Sequence, residues 1–85
     1  MYFVYLLQCY DKSLYTGITT DLKKRLQKHK SGKGGHYTAA HMPEKIVYSE
    51  TFATRSQALR CEAQIKSWSR KKKLELKTQR ENKVL

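Results

Sequence analysis

The stretch from residue 2 to residue 19 reads YFVYLLQCYDKSLYTGIT. Aromatic, aliphatic and β-branched residues fill both of its ends, and a polar turn at residues 11–13 separates them. Such runs favour β-strands because their side chains pack well on a pleated surface, and a short polar turn between two of them is typical of a hairpin. We therefore predict strands over residues 2–9 and 14–19 that pair antiparallel.

A helix is predicted next, because Thr20 or Asp21 can accept hydrogen bonds from the free N–H groups of its first turn. Leu22 and Leu26 give this helix an apolar edge, and it ends at residues 31–32. The later elements are a third strand over residues 45–52, a helix from the T-x-x-Q pattern at residue 54 to residue 68, and a last helix over residues 69–80. The order β-β-α-β-α-α predicts an α+β domain, a three-stranded antiparallel sheet flanked by helices.

The 85 residues suffice for one small domain, which we assign to residues 1–80, with a basic tail at 81–85. No apolar run approaches the ~20 residues that span a bilayer, and no signal peptide opens the chain, so we expect a cytoplasmic protein without membrane contact. With only Cys9 and Cys61, two reduced and buried thiols are expected rather than a disulfide framework.

The net charge of +11 comes from 18 Lys and Arg residues against 7 Asp and Glu residues. The positive charge is concentrated in residues 21–35 and 70–85, on either side of a nearly neutral middle. Two basic blocks predict a polyanion as partner. The cationic residues for which we expect nucleic-acid contact are Lys23, Lys24, Lys28, Lys33, Arg70, Lys71 and Lys72.

Four polar or aromatic residues and one glycine in the first third of the chain are candidates for a site. Arg25 and His29 are four residues apart on the predicted helix, so their side chains leave the same face, at the rim where helix meets strands. Taken singly, each also fits a solvated surface position. Tyr5 and Tyr15 stand on neighbouring predicted strands, which favours proximity. Gly17 is unfavourable inside a strand and indicates close approach by backbone or by a ligand.

Glu62 is predicted on the buried side of the second helix, where a carboxylate requires a partner or a cation. The apolar stripe of that helix consists of Ala58, Cys61, Ile65 and Trp68, with Leu59 adjoining it. The simpler alternative is an i, i+4 ion pair between Glu62 and Lys66. Since one carboxylate binds Mg²⁺ weakly, a functional Glu62 would share the ion with water and a substrate phosphate.

These residues together resemble the GIY-YIG nuclease superfamily, over nearly the whole domain. The chain is most similar to its small stand-alone bacterial members, long filed as an uncharacterised protein family. It is also similar to the catalytic domain of eukaryotic branched-DNA resolving nucleases and to the amino-terminal domain of the excision-repair incision subunit. Tyr5 matches the tyrosine of the first half-motif, and Tyr15 and Gly17 match the tyrosine and glycine of the second. Phe3 and Thr16 depart from the motif, at positions that supply no catalytic chemistry.

Three further residues match positions to which the family gives a role. Arg25 matches its helix arginine, His29 a position that holds histidine or tyrosine in relatives, and Glu62 its metal-binding glutamate. The resemblance implies hydrolysis of DNA phosphodiester bonds with one Mg²⁺ or Mn²⁺ held by Glu62. It also implies that Arg25 neutralises the scissile phosphate. Tyr15 or Tyr5 would orient or deprotonate the attacking water and His29 could share proton transfer, so the identity of the base stays open.

Three functions are compatible with the sequence. The first is a structure-selective DNA endonuclease acting on branched or damaged DNA, as in DNA repair, with specificity from DNA shape or from a protein partner. The second is a catalytically silent nucleic-acid-binding module of the same fold. The third, a small ribosome- or RNA-associated protein, accounts for the charge but leaves Glu62 unexplained. We favour the endonuclease because binding alone does not need a buried carboxylate.

Overall fold

The computed structural model describes residues 1–32 and 41–83, the last six of these by their backbone only. The described residues confirm the α+β fold in the expected order. The elements are β1 (Tyr2–Cys9), β2 (Leu14–Thr19), α1 (Leu22–Lys30), β3 (Pro43–Phe52), α2 (Arg55–Lys66) and α3 (Arg70–Lys83). Lys33, expected to contact nucleic acid, lies outside the described residues, as do residues 84–85 of the expected tail.

Three element boundaries differ from the predicted ones by two residues or more. β3 begins at Pro43 rather than at residue 45, because a proline is tolerated at the first residue of a strand. α2 ends at Lys66, before residue 68, where Ser67 caps it and donates its backbone N–H to Ala63, Gln64 and Ile65. α3 continues to Lys83, three residues beyond the predicted end, since no glycine or proline interrupts this part of the chain.

The sheet has the strand order β2-β1-β3, and β1 pairs antiparallel with both neighbours. Successive side chains of a strand point to opposite faces, so the central strand contributes side chains to the packing on both faces of the sheet. One face packs against α2 and α3, and its buried core consists of Val4, Leu6, Val47, Ala58 and Ile65. The other face carries Tyr5 and Leu7, and there Tyr5 contacts His29 of α1.

The predicted stripe of α2 is confirmed except at one position. Ala58 and Ile65 are buried, and Cys61 and Trp68 are half-buried against them. Leu59 was expected to adjoin the stripe, but it is exposed, because one residue along a helix is a rotation of about 100°, which carries Leu59 away from the buried Ala58. The described part of the chain contains no helix that is both long and apolar enough to cross a membrane.

The two cysteines are free, but only one of them is fully buried. Cys9 is at 0% exposure, whereas Cys61 is half-buried at the margin of the core. The expectation of two buried thiols is therefore wrong for Cys61, because this residue lines a surface pocket together with Arg60 and Trp68. Burial raises the pKa of both thiols, so neither is activated as a thiolate.

Thr16 is a buried residue whose hydroxyl is not satisfied. It pairs with Leu6 and faces the α2 side of the sheet, and its Oγ1 has no hydrogen-bond partner among the described residues. A buried unsatisfied hydroxyl costs about 1–3 kcal/mol, so we expect Thr16→Val to raise the free energy of unfolding by about 1 kcal/mol. Urea denaturation of Thr16→Val beside Thr16→Ser checks this. The serine variant keeps the hydroxyl and loses a methyl group, so a gain in stability there would contradict the explanation.

Candidate active site

Gly17 allows the Tyr5 side chain to lie across β2. The strand register places Tyr5 directly opposite Gly17. A Cβ atom on residue 17 would lie 2.5 Å from the Tyr5 hydroxyl oxygen, 2.6 Å from Tyr5 Cζ and 3.0 Å from a ring carbon of Tyr15. The close approach predicted at Gly17 therefore exists, but it is made by an aromatic side chain and not by backbone or a ligand.

Tyr5, Tyr15 and His29 form an aromatic cluster on the α1 face of the sheet. The Tyr5 hydroxyl oxygen lies 2.8 Å from His29 Nε2, within hydrogen-bond distance. The Tyr15 ring centroid is 6.3 Å from that of Tyr5 and 5.3 Å from that of His29. This confirms the expected proximity of the two tyrosines, which sit diagonally across the strand pair rather than directly opposite each other.

His29 is at the centre of the packing and not at the rim where we expected it. Only 1% of His29 and 2% of Tyr5 are exposed. Asp21 caps α1 by accepting a hydrogen bond from the backbone N–H of Lys24 at 3.0 Å, which sets where the helix begins. Two turns later, the inward face of α1 carries His29 against the sheet, while Arg25, one turn earlier, remains half-exposed.

Burial determines the charge states of the Tyr5–His29 pair. Burial raises the pKa of the Tyr5 phenol most, and Tyr15 adds to the effect. The Arg25 guanidinium opposes it, and the Glu62 carboxylate raises the pKa again. Burial also lowers the pKa of His29, and the positive charge of Arg25 lowers it further. Both groups are thus neutral near pH 7, and the tautomer of His29 decides which of them donates the hydrogen bond.

Glu62 is partly buried and also paired, so both of its predicted environments exist. Its side chain is 16% exposed, and one carboxylate oxygen lies 3.4 Å from Nζ of Lys66, which is 53% exposed. An i, i+4 pair of this kind stabilises a helix by about 0.3–0.5 kcal/mol. It therefore offsets little of the free energy that desolvation of the carboxylate costs. The effect of Glu62 and Arg25 on the Tyr5 pKa places both charges in electrostatic reach of the aromatic cluster.

The donor atoms near the cluster suit a divalent cation that is shared with a substrate. Among the side chains of residues 1–32 and 41–77, no three His, Cys, Asp or Glu residues converge into a protein-only metal site. Glu62 offers a hard carboxylate oxygen, the ligand type that Mg²⁺ and Mn²⁺ prefer. Mg²⁺ commonly takes one or two carboxylates and completes its coordination with water and phosphate oxygens. The single carboxylate of Glu62 fits such an ion when a phosphate-bearing ligand supplies further oxygens.

The described lysines and arginines for which we expected nucleic-acid contact are all exposed. Lys23, Lys24 and Lys28 are exposed on α1, and Arg70, Lys71 and Lys72 are exposed at the beginning of α3. Lys72 also places its ammonium nitrogen 4.6 Å from the centre of the Trp68 ring, a cation–π contact. Exposure leaves these residues available to a polyanion.

Arg55 was not singled out by the sequence analysis, yet it lies close to the candidate residues. It is the first residue of α2 and lines a pocket together with Arg25. The available signal was its spacing, because Arg55 precedes Glu62 by seven residues and so shares its side of α2.

Gly17→Ala tests the close packing of the aromatic cluster. We expect the added methyl group to displace the Tyr5 phenol and to cost about 1–3 kcal/mol of stability, as overpacking does. Urea denaturation measures the cost, and the imidazole NMR signals of His29 report loss of the Tyr5 contact. Gly32→Ala is the control, because Gly32 has φ +81° and no atom within 4 Å of the added Cβ. It should lower stability while the His29 signals stay in place, and unchanged His29 signals in Gly17→Ala would contradict the packing described.

Comparison with known proteins identifies the family of the chain. The GIY-YIG catalytic domain matches residues 1–75. A UPF0213 protein of Streptococcus agalactiae is 46% identical over 80 residues, covering 94% of this chain and 91% of that protein. A UPF0213 protein of Bacillus pumilus is 50% identical over 72 residues, covering 85% and 74%. The solution NMR structure of a UPF0213 protein from Bacillus halodurans is 44% identical with a TM-score of 0.56, covering 89% of this chain and 82% of that one. The chain therefore belongs to the GIY-YIG domain family, and its relatives are UPF0213 proteins.

Proposed function

We propose that the protein is a metal-dependent endonuclease that hydrolyses phosphodiester bonds in DNA. The observation that carries the proposal is the convergence of different chemical groups on Tyr5. His29 is hydrogen-bonded to it, Tyr15 packs beside it, and the charges of Arg25 and Glu62 act on its pKa. A purely structural cluster would have no need of a guanidinium and a partly buried carboxylate whose charges act on the same phenol.

Arg25 and Glu62 supply the charge that phosphodiester hydrolysis requires. The half-exposed guanidinium of Arg25 can donate two hydrogen bonds to the scissile phosphate and offset its growing negative charge in the transition state. Glu62 would hold Mg²⁺ or Mn²⁺ together with that phosphate. Such an ion, when bound, supplies Lewis-acid stabilisation of the leaving oxygen.

The Tyr5–His29 pair provides a path for the proton of the attacking water. A phenol with a raised pKa is a poor base by itself, because its ionised form is disfavoured. The neutral His29 imidazole, however, can accept a proton from the Tyr5 hydroxyl along the 2.8 Å bond. Tyr5 can accept a proton from the attacking water in concert with this transfer, so that no free phenolate accumulates. We assign to Tyr15, half-buried at the edge of the cluster, the orientation of that water.

The proposed substrate is DNA recognised by shape. The exposed lysines and arginines of α1 and α3 can contact phosphates, which position a duplex but do not read its sequence. We therefore expect cleavage of branched or damaged DNA with little sequence preference, strong dependence on salt, and a role in DNA repair. A partner protein could add specificity.

Cleavage of labelled duplex, flap and branched DNA in Mg²⁺, Mn²⁺ or EDTA tests the proposal. We expect metal-dependent cutting, fastest on branched DNA and absent in EDTA. Binding of every substrate without cutting would contradict the enzyme and favour a catalytically silent binding module.

A further inference from the structure

A pocket of about 260 Å³ opens where β2 passes into α1 and where α2 begins. It is lined by Tyr2, Ile18, Thr19, Thr20, Arg25 and Arg55. The strand end, the first helix and the second helix each contribute to it, so the pocket exists only in the folded chain. Arg25 is common to this pocket and to the candidate active site, whereas Arg55 has so far been assigned no role.

The pocket is cationic, and nothing within it balances the charge. Two guanidinium groups contribute to its lining and no carboxylate does. Across the described residues, neither Arg25 nor Arg55 forms an ion pair. Asp21, the acidic residue closest in sequence to the Thr19–Thr20 corner, uses one carboxylate oxygen to cap α1 at the N–H of Lys24. Two like charges that line one pocket repel each other, and an anion placed between them would relieve that repulsion.

Along α2, Arg55 is separated from Glu62, the residue that we propose holds the metal ion. Arg55 and Glu62 are seven residues apart, which puts them on one side of α2 and about 10 Å apart along its axis. The charges that shift the pKa of Tyr5 belong to Tyr15, Arg25 and Glu62. Arg55 is not among those charges, and it shares with Arg25 the pocket at the beginning of α2.

We propose that Arg55, with Arg25, binds a second backbone phosphate of the nucleic acid, adjacent to the phosphodiester that is hydrolysed. The inference rests on the proposed function and adds a subsite to it. A guanidinium is planar and presents paired donors that match two phosphate oxygens. The Tyr2 phenol and the exposed Thr20 hydroxyl line the same pocket and offer further donors.

Such a subsite would set the register of the DNA strand. Arg25 would bridge two successive phosphates, and Arg55 would hold the outer one, so that the scissile phosphate comes to rest between Glu62 and the aromatic cluster. Arg55 is on this view a binding residue, and its removal should weaken substrate binding while the chemical step is retained.

Salt-dependent DNA binding without added metal measures this role independently of catalysis. We expect Arg55→Ala to raise Kd roughly tenfold, the effect of losing one charged pair. The slope of log K against log salt should become shallower by about one, as expected for one lost phosphate contact.

Arg60→Ala is the matched control, because Arg60 is an exposed arginine of the same helix that lines a different pocket, with Glu50 and Trp68. Equal effects of the two substitutions would show a general loss of charge and overturn the proposal.

A scan with single methylphosphonates, which remove the charge of one phosphate at a time, identifies the phosphate. In the wild-type protein we expect the Kd to rise at the scissile position and at one neighbouring position. In Arg55→Ala the neighbouring effect should disappear, and Arg55→Lys should restore part of it. If Arg55→Ala binds every substituted DNA as the wild type does, or if its effect is confined to the scissile phosphate, there is no second subsite.

The binding results also separate this inference from the proposed function. Metal-dependent cleavage together with an Arg55→Ala variant that binds normally would leave the nuclease in place and remove the subsite. Position-specific binding through Arg55 in a protein that never cuts DNA would support the phosphate subsite and contradict the nuclease.

Discussion

Glu62→Gln is expected to abolish metal-dependent cleavage of DNA, with a loss of roughly 10³-fold or more in kcat. The amide has nearly the same shape as the carboxylate but lacks the charge that would hold Mg²⁺ or Mn²⁺ beside the substrate. The fold should persist, because the Lys66 ion pair that is lost with the charge is worth less than about 0.5 kcal/mol. Single-turnover cleavage with the metal concentration varied gives the loss in rate, and urea denaturation gives the stability.

Two controls separate the metal-binding role of Glu62 from its ion pair. Glu75→Gln makes the same chemical change at an exposed position of α3 and should cut DNA as the wild type does. Lys66→Ala breaks the ion pair and keeps the Glu62 carboxylate, so it should also remain active. Full activity of Glu62→Gln, or equal losses in Glu62→Gln and Lys66→Ala, would remove Glu62 from the mechanism.

Arg25→Ala is expected to lower kcat by about 10²–10³-fold, the usual cost of removing one fixed donor that stabilises transition-state charge. Arg25→Lys should recover only part of this, since an ammonium cannot donate in the paired geometry of a guanidinium. Steady-state kinetics distinguish this effect from simple loss of DNA binding. Lys24→Ala, at an exposed neighbouring position, should raise KM and make the salt dependence shallower while kcat is retained.

Arg25→Ala also has a consequence that does not depend on turnover. The Arg25 guanidinium lowers the pKa values of both His29 and Tyr5, so removal of the guanidinium should raise both pKa values. NMR titration of the His29 imidazole is the direct measurement. The expected direction is upward, towards the ordinary histidine value of about 6.5. An unchanged His29 pKa together with an unchanged kcat would place Arg25 outside the site.

The hairpin and the helix beginnings could be predicted because their causes are local. Residues 2–19 contain two apolar runs and one polar turn, and no long-range contact is needed to interpret them. The caps are local too, since Asp21 and Thr54 each accept from a backbone N–H three residues later. The end of α3 was predicted less well, because its sequence contains no strong stop signal.

The burial of His29 could not be predicted from local sequence. From the sequence, a histidine in a basic helix fits a surface position, and only the docking of α1 onto the sheet puts it against a tyrosine 24 residues away. The same holds for Gly17, whose partner is a phenol from the neighbouring strand. The exposure of Leu59 has a related cause, since a helical periodicity does not state how wide a stripe the sheet will cover.

The sequence alone predicted the element order and pointed to the candidate residues: Tyr5, Tyr15, Gly17, Arg25, His29 and Glu62. It could do so because hydrophobic patterning and residue chemistry are properties of short segments. The hydrogen bond between His29 and Tyr5, and the pocket that Arg25 shares with Arg55, became evident only from the folded chain. Those contacts depend on strand register and on the packing of helices distant in the chain, and neither is encoded in any one segment.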